Sequence, residues 1–228
     1  MMISETYLSY QIGSVKTISE AQKQALIREF TRPPEMAETR LSGRIRPQIT
    51  KLEGFGRVIV KHYFRGGVLR HLNRRTYLKT GKTRSAAEFE ILTHLRNIGA
   101  CVPEPVVFAS ITKGGFFYHA WLVLKEVPDA ETLADLSRSA PERAKAILPD
   151  VSGQVKRLIR NDILHVDLHP GNVLVDGDNR VFLIDFDRAQ AGKKNQSRLA
   201  GYYMKRWRRA VTKHKLPGFL EKIEISGK

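Results

Sequence analysis

His165-Val166-Asp167-Leu168-His169-Pro170-Gly171-Asn172 is followed, 13 residues past Asn172, by Asp185-Phe186-Asp187. Between the two runs lie Val173–Val175 and Val181–Ile184, short apolar stretches around Asp176-Gly177-Asp178-Asn179. That spacing predicts two buried strands around a tight turn, which brings Asn172 and Asp185 together. The residue types suit one chemistry. Asp167 can take the proton of an attacking hydroxyl, and Asn172 and Asp185 are hard oxygen ligands of the kind Mg²⁺ requires. A base beside such a pair is equipment for moving a phosphoryl group. Asx residues also serve in turns and caps, but turn chemistry does not account for the joint spacing. His165 is expected to be a packed, hydrogen-bonded support of the loop rather than a proton carrier.

H-x-D-x-x-x-x-N followed by D-F-x is the pattern of kinase-fold phosphotransferases. Such a site needs a strand lysine for the phosphates of ATP, held by a glutamate on a helix. Val58-Ile59-Val60-Lys61 supplies the lysine. Ser85 to Ile98 reads as a helix opened by a Ser85/Glu88 capping box, with Ile91, Leu92, Leu95 and Ile98 as its apolar stripe. Glu88 shares that inward stripe whereas Glu90 falls outside it, so Glu88 is the partner expected for Lys61. A glycine lid over the nucleotide is weak, with Gly43 alone in Ser42-Gly43-Arg44. The backbone of Glu126 and Val127, leaving a strand, is the expected adenine contact. Asp187 stands where D-F-G motifs carry glycine and offers a further metal contact. His169 stands near where protein kinases place a lysine at the γ-phosphate, and is taken as a second catalytic residue.

Around this centre the chain reads as α+β. Strands occupy roughly 36–64, the Ser85 helix follows, and two strands run over 106–110 and 116–124. The remainder is mostly helical and closes with a helix at Gln196 to Lys213. The expected architecture is a two-lobed protein-kinase-like fold with a reduced C-terminal lobe, divided near 36–125 and 126–228. Only 43 residues follow Asp185, too few for a protein-substrate platform, so a small or lipid-linked hydroxyl is the expected acceptor.

The composition limits the partners. The 228 residues carry 39 Lys+Arg and 23 Asp+Glu, a net charge of +16, with one cysteine and an ordinary 42% of hydrophobic residues. Collagen-like, low-complexity and disordered chains are excluded. Cys101 has no partner for an intrachain disulfide, there is no membrane-spanning apolar run, and the start lacks a signal-peptide pattern. A soluble cytoplasmic protein is expected. The charge sits in two acid-free blocks of nine basic residues each, 54–87 and 193–215. They point to an anionic partner: a phosphorylated substrate, a membrane surface or nucleic acid. In the second block Leu199, Tyr203, Trp207 and Ala210 form one stripe of the helix. It suits equally a membrane interface or packing onto the lower lobe.

Phe64-Arg65-Gly66-Gly67, Leu72-Asn73-Arg74-Arg75-Thr76-Tyr77-Leu78 and Lys82-Thr83-Arg84 resemble motifs of the bacterial lipopolysaccharide-core kinases, among which 3-deoxy-D-manno-octulosonic acid (Kdo) kinases are nearest. Cys101-Val102-Pro103-Glu104-Pro105, Gly115-Phe116-Phe117-Tyr118 and Leu183-Ile184-Asp185-Phe186-Asp187-Arg188 fit the same pattern, so the resemblance covers about residues 40–190. It implies ATP- and Mg²⁺-dependent phosphorylation of a Kdo hydroxyl on a lipid A precursor, an anionic glycolipid, at the cytoplasmic face of the inner membrane. Asp167 then resembles the family's base, Asn172 and Asp185 its metal ligands, and Lys61 its phosphate lysine. His169-Pro170-Gly171 is closer to aminoglycoside-, choline- and RIO-type kinases, which keeps another acceptor open. A non-catalytic nucleic-acid-binding protein is the contrasting reading, against which all four catalytic positions are intact and no nucleic-acid motif is present.

Overall fold

Buried and partly exposed side chains alternate at Val58, Ile59, Val60 and Lys61, with Val58 and Val60 buried, and period-two alternation is what a half-buried strand needs. The computed structural model describes residues 2–32, 48–63, 77–78, 81–114 and 117–225. They form two units, the first made of Met1–Glu90 with Glu104–Glu126 and the second of Ile91–Pro103 with Val127–Lys228.

The first unit contains β1 (Ile3–Tyr7), β2 (Tyr10–Ser14), α1 (Glu20–Thr31), β3 (Gln48–Leu52), β4 (Gly56–His62) and β5 (Tyr77–Leu78). The start of α2 (Arg84–Asn97), β6 (Pro105–Lys113) and β7 (Phe117–Lys125) complete it. The strands make one antiparallel sheet in the order β1-β2-β6-β7-β4-β3, and β5 pairs with β7. The register sets Lys61 opposite Leu122 and Val60 opposite Val123. Val58, Val60, Val107, Val123 and Trp121 turn their side chains toward Leu26 and Phe30 of α1, with Phe30 stacked on Trp121 at 5.0 Å. Ser19 and Gln22 cap α1 reciprocally, as the sequence pattern requires.

The α2 cap departs from expectation. Ser85 lies inside the helix, fully buried, and donates to the Ala109 carbonyl at 3.1 Å. Thr83 takes over the cap by accepting from the Ala86 amide at 3.4 Å. An inward-facing serine cannot reach back to the first-turn amides, so Glu88 is released from capping. The β1–β2 hairpin was not expected, and it turns on Leu8 and Ser9, both in the left-handed region. Gly43 and the motifs between Phe64 and Thr76 lie outside the described residues.

In the second unit, β8 (Glu131–Thr132) leads into α3 (Leu133–Ser139), α4 (Pro141–Ala146) and α5 (Leu148–Arg160). The break falls at Ile147. Pro149 sits in the first turn of α5, where a missing N–H costs no helical hydrogen bond. After β9 (Ile163–Leu164) come β10 (Val173–Val175), β11 (Val181–Leu183), β12 (Gln190–Ala191) and α6 (Gln196–Lys213). Strand β10 pairs with β11 and β8, and β9 with β12.

Helix α6 resolves the two readings of its stripe. Leu199, Tyr203, Trp207 and Ala210 are all buried, and the Trp207 indole N–H donates to the Leu220 carbonyl at 2.8 Å. A stripe consumed by its own core is not available for insertion into a bilayer, so the membrane-interface reading of these four residues is withdrawn. Lys205, Arg208 and Arg209 remain exposed.

Candidate active site

Within the first unit, Lys61 projects from β4 and Glu88 from α2. The lysine Nζ stands 2.8 Å from both carboxylate oxygens. The glutamate is 2% exposed and also accepts from the Tyr63 hydroxyl at 2.5 Å. A buried carboxylate is tolerated when a cation and a hydroxyl both satisfy it. Glu90 pairs instead with Lys82 at 2.6 Å on the exposed side. Glu126 is committed in two ways: its carboxylate pairs with Arg57, and its amide donates to the Arg57 carbonyl at 3.3 Å. The arginine holds the Glu126 carboxyl below the usual carboxylate range, against the smaller opposing effect of burial.

In the second unit the loop after β9 is built around His165, which is 1% exposed. Its Nδ1 accepts from the Asp167 amide at 3.2 Å and its Nε2 lies 2.9 Å from the Ile184 carbonyl. An accepting Nδ1 fixes the tautomer, so Nε2–H is the donor to Ile184. The ring rests on Phe186 at 4.5 Å. His165 is thus a strut between Asp167 and Asp185 and not a proton carrier. Asn172, 2% exposed, donates through Nδ2 to the Asp167 carbonyl at 2.8 Å, and its own carbonyl receives the Ile184 amide at 3.1 Å. Asp185 follows at φ +64°, a conformation rare for a residue with a Cβ. Asp187 lies half-buried in the next turn. His169 Nδ1 accepts from the Gly171 amide at 3.0 Å, and its Nε2 is 3.8 Å from Asp167 Oδ1.

The donor set fits Mg²⁺. Anchoring Nδ2 of Asn172 fixes Oδ1 as the coordinating end of that amide, and Asp185 adds a carboxylate one residue beyond the backbone tie. Among the described residues no group of three His, Cys, Asp or Glu could hold a metal. The candidate set is therefore the lean kind that relies on phosphates and water for its remaining ligands.

One participant escaped sequence reasoning. Arg206, from the middle of α6, directs Nη2 at Oδ1 of Asp167. That hydrogen bond is the main reason the guanidinium pKa is raised, burial acting in the opposite direction. Its neighbours on α6 clamp the same loop. The Tyr202 hydroxyl donates to the Val166 carbonyl at 2.8 Å, and the Tyr203 hydroxyl bridges the Ile163 carbonyl and the His165 amide at 2.7 and 2.8 Å. Tyr202, Tyr203 and Arg206 lie three and four apart, so the only advance signal was a shared helix face.

Comparison with known proteins places the chain among kinases. The profile of the lipopolysaccharide kinase (Kdo/WaaP) family matches residues 19–218. A 3-deoxy-D-manno-octulosonic acid kinase of Vibrio cholerae serotype O1 is 34% identical over 131 residues, 57% of this chain and 55% of that protein. One from Photobacterium damsela subsp. piscicida is 28% identical over 213 residues, 90% of this chain and 88% of that protein. The chain thus spans about half the length of the first relative and most of the second. The solved structure of WaaP in complex with acyl carrier protein superposes with a TM-score of 0.54 at 17% identity, covering 77% of this chain and 70% of that one. At that identity the likeness shows the fold, which is the α+β protein-kinase-like one. With 200 consecutive residues matched, the chain belongs to the lipopolysaccharide kinase (Kdo/WaaP) family.

Proposed function

We propose that this protein transfers the γ-phosphoryl group of ATP to a hydroxyl of Kdo on a lipid A precursor. The observation that carries the reading is the frame on which Asp167, Asn172 and Asp185 hang: two ring nitrogens of His165 and one amide of Asn172 tie them together. The relatives named Kdo kinase direct that chemistry to an acid sugar.

Asp167 accepts the proton of the acceptor hydroxyl as the oxygen–phosphorus bond forms and the bond to the bridging oxygen of ADP breaks. Lys61, held by Glu88, receives the phosphates of ATP. Asn172 and Asp185, with Asp187 as an added contact, would hold Mg²⁺, which would supply positive charge at those phosphates. The adenine contact falls to the Glu126 carbonyl and Val127, since the Glu126 amide serves Arg57. Gly43 is assigned to the lid over the nucleotide. His169 is placed on the acceptor side, where its titration would modulate transfer; a rate that is flat from pH 6 to 8 removes that role. A lipid-linked acceptor sets the reaction at the cytoplasmic face of the inner membrane, with the exposed charges of α6 as an electrostatic contact.

The test is incubation with ATP, Mg²⁺ and Kdo–lipid A, read by mass spectrometry. A gain of one phosphate on the acceptor, absent with Asp167→Ala, is expected. Transfer to a different acceptor alone would overturn the substrate assignment.

A further inference from the structure

Arg206 is not a residue that phosphoryl transfer itself calls for, and three observations give it a task. First, it touches the base. Any group sharing a carboxylate oxygen with Asp167 stands within a hydrogen bond or two of the acceptor hydroxyl, because that hydroxyl must reach the same carboxylate. Second, its fork is half used. Nη2 is on Asp167, while Nε–H, which lies on the same edge of the guanidinium, is buried with no hydrogen-bond partner among the described residues. A buried donor without an acceptor is costly, and where one persists beside a reaction centre it marks a place for a ligand atom. Third, the arginine is not loosely placed. Tyr202 and Tyr203, on the same face of α6, fasten the helix to Val166, Ile163 and His165, so the guanidinium is presented from a rigid support.

The groups facing Asp167 include Arg206, His169 with Nε2 at 3.8 Å, and Asn172, whose amide takes the Asp167 carbonyl rather than its side chain. Of these, Arg206 alone carries a permanent charge with an unfilled donor. The Nε/Nη2 edge is the one that grips a carboxylate with two parallel hydrogen bonds.

We propose that Arg206 reads the carboxylate of the acid-sugar acceptor, and that in taking it the guanidinium withdraws from Asp167 and frees that oxygen for the hydroxyl proton. This deepens the proposed function and rests on it. Without acceptor, the arginine and an attacking hydroxyl compete for one oxygen, so the base is occupied. With acceptor, the substrate's own negative charge replaces Asp167 on the fork. A sugar lacking the carboxylate leaves the arginine where it is, and the discrimination falls on hydroxyls of neutral sugars and on water alike.

The probes are the methyl glycoside of Kdo, which carries one carboxylate and no phosphate, and its methyl ester, which differs only in lacking that charge. Binding is measured by calorimetry without nucleotide, and transfer with ATP and Mg²⁺, for the wild type, Arg206→Gln and Arg206→Lys. A charge-assisted bidentate contact predicts that wild-type enzyme binds the acid about 30-fold more tightly than the ester. Arg206→Gln should erase the binding preference by weakening the acid, and should raise transfer to the ester because Asp167 is no longer occupied, while Arg206→Lys should retain part of the preference. The glutamine variant should also raise acceptor-independent ATP hydrolysis. Equal loss of kcat on acid and ester, with the binding preference intact, would reduce Arg206 to a positioning residue for Asp167 and overturn the proposal. Loss on Kdo–lipid A with no change on the small acid would assign the arginine to a lipid A phosphate and overturn it as well. Failure of the acceptor reading looks different: wild-type enzyme would transfer phosphate to neither Kdo probe nor Kdo–lipid A while phosphorylating another acceptor, and the present inference would fall with it. Thermal denaturation of each variant separates these outcomes from misfolding.

Discussion

Replacing Lys61 by Met and Glu88 by Leu, singly and together, separates what this ion pair does for stability from what it does for nucleotide. Glu88 is 2% exposed and the Lys61 side chain 26%. Lys61→Met therefore leaves a buried carboxylate with, among the described residues, the Tyr63 hydroxyl as its remaining side-chain donor, and the cost expected is about 3 kcal/mol. Glu88→Leu takes this carboxylate from a lysine that can still reach water, which lowers the cost to about 1–2 kcal/mol. The double replacement leaves two apolar side chains of similar volume beside the Tyr63 hydroxyl, so it should lie within about 1 kcal/mol of the wild type. The three numbers predict a coupling energy of about 3 kcal/mol. For a protein of this size that makes the Lys61→Met variant melt roughly 6–12 °C lower, with most of the loss recovered in the double variant. Urea denaturation gives the cycle, and fluorescent-nucleotide titration gives the function. The double variant should be folded and unable to hold ATP productively. Additive losses, with coupling below about 0.5 kcal/mol, would refute the view that each partner is retained by the other.

Three further outcomes follow from the second unit. Asp185→Asn keeps a residue type that tolerates the left-handed backbone, so melting should be unchanged while transfer falls at least about 100-fold at saturating Mg²⁺; Asp185→Ala should lose about 1 kcal/mol of stability in addition. Trp207→Ala should cost about 3–5 kcal/mol in denaturant unfolding and leave charge-driven binding to anionic vesicles intact, because the indole is core and the exposed charges are elsewhere on α6. Burial opposes ionisation of Asp176, but the Arg180 side chain and the Arg180 and Asp178 amides hold its carboxyl below the usual range. Its contribution is complete above the ordinary carboxylate pKa and fades as pH falls through the lower folded value. Asp176→Asn should accordingly flatten the acid limb of a stability-against-pH curve below about pH 4 and leave its slope near pH 7 unchanged.

Much of the machinery was legible because it is local. The β10–β11 hairpin, the His165 strut and the ends of α6 follow from residues close in sequence, and Lys61 with Glu88 follows from one strand and one helix face. What was missed depends on distant partners or on weak local signals. Strand β1 is exposed along nearly its whole length, so it offers no apolar alternation, and the Leu8–Ser9 turn uses no glycine to announce itself. The cap moved from Ser85 to Thr83 because the Ala109 carbonyl, on another strand, claims the serine. Arg206 looked like one more charge in a basic block. Only the packing of α6 against the loop after β9 distinguishes it from Lys205, Arg208 and Arg209, and no spacing within the helix encodes that.

The division of labour between hairpin and helix has a consequence for how such an enzyme can change. The proposed base and metal ligands lie on the stretch from His165 to Asp187, whereas Arg206 arrives on a separate, later helix fixed by two tyrosine hydroxyls. On the reading proposed for Arg206, a substitution at that one position would change which sugar is admitted and, through the hydrogen bond to Asp167, how readily phosphate is moved. Ile184, Asn172 and His165 share hydrogen bonds, so an insertion between any two of them would disturb the third. Reaction and recognition would then meet at one hydrogen bond, and a graft of residues 196–213 between relatives would carry the arginine together with the two tyrosine ties to the loop.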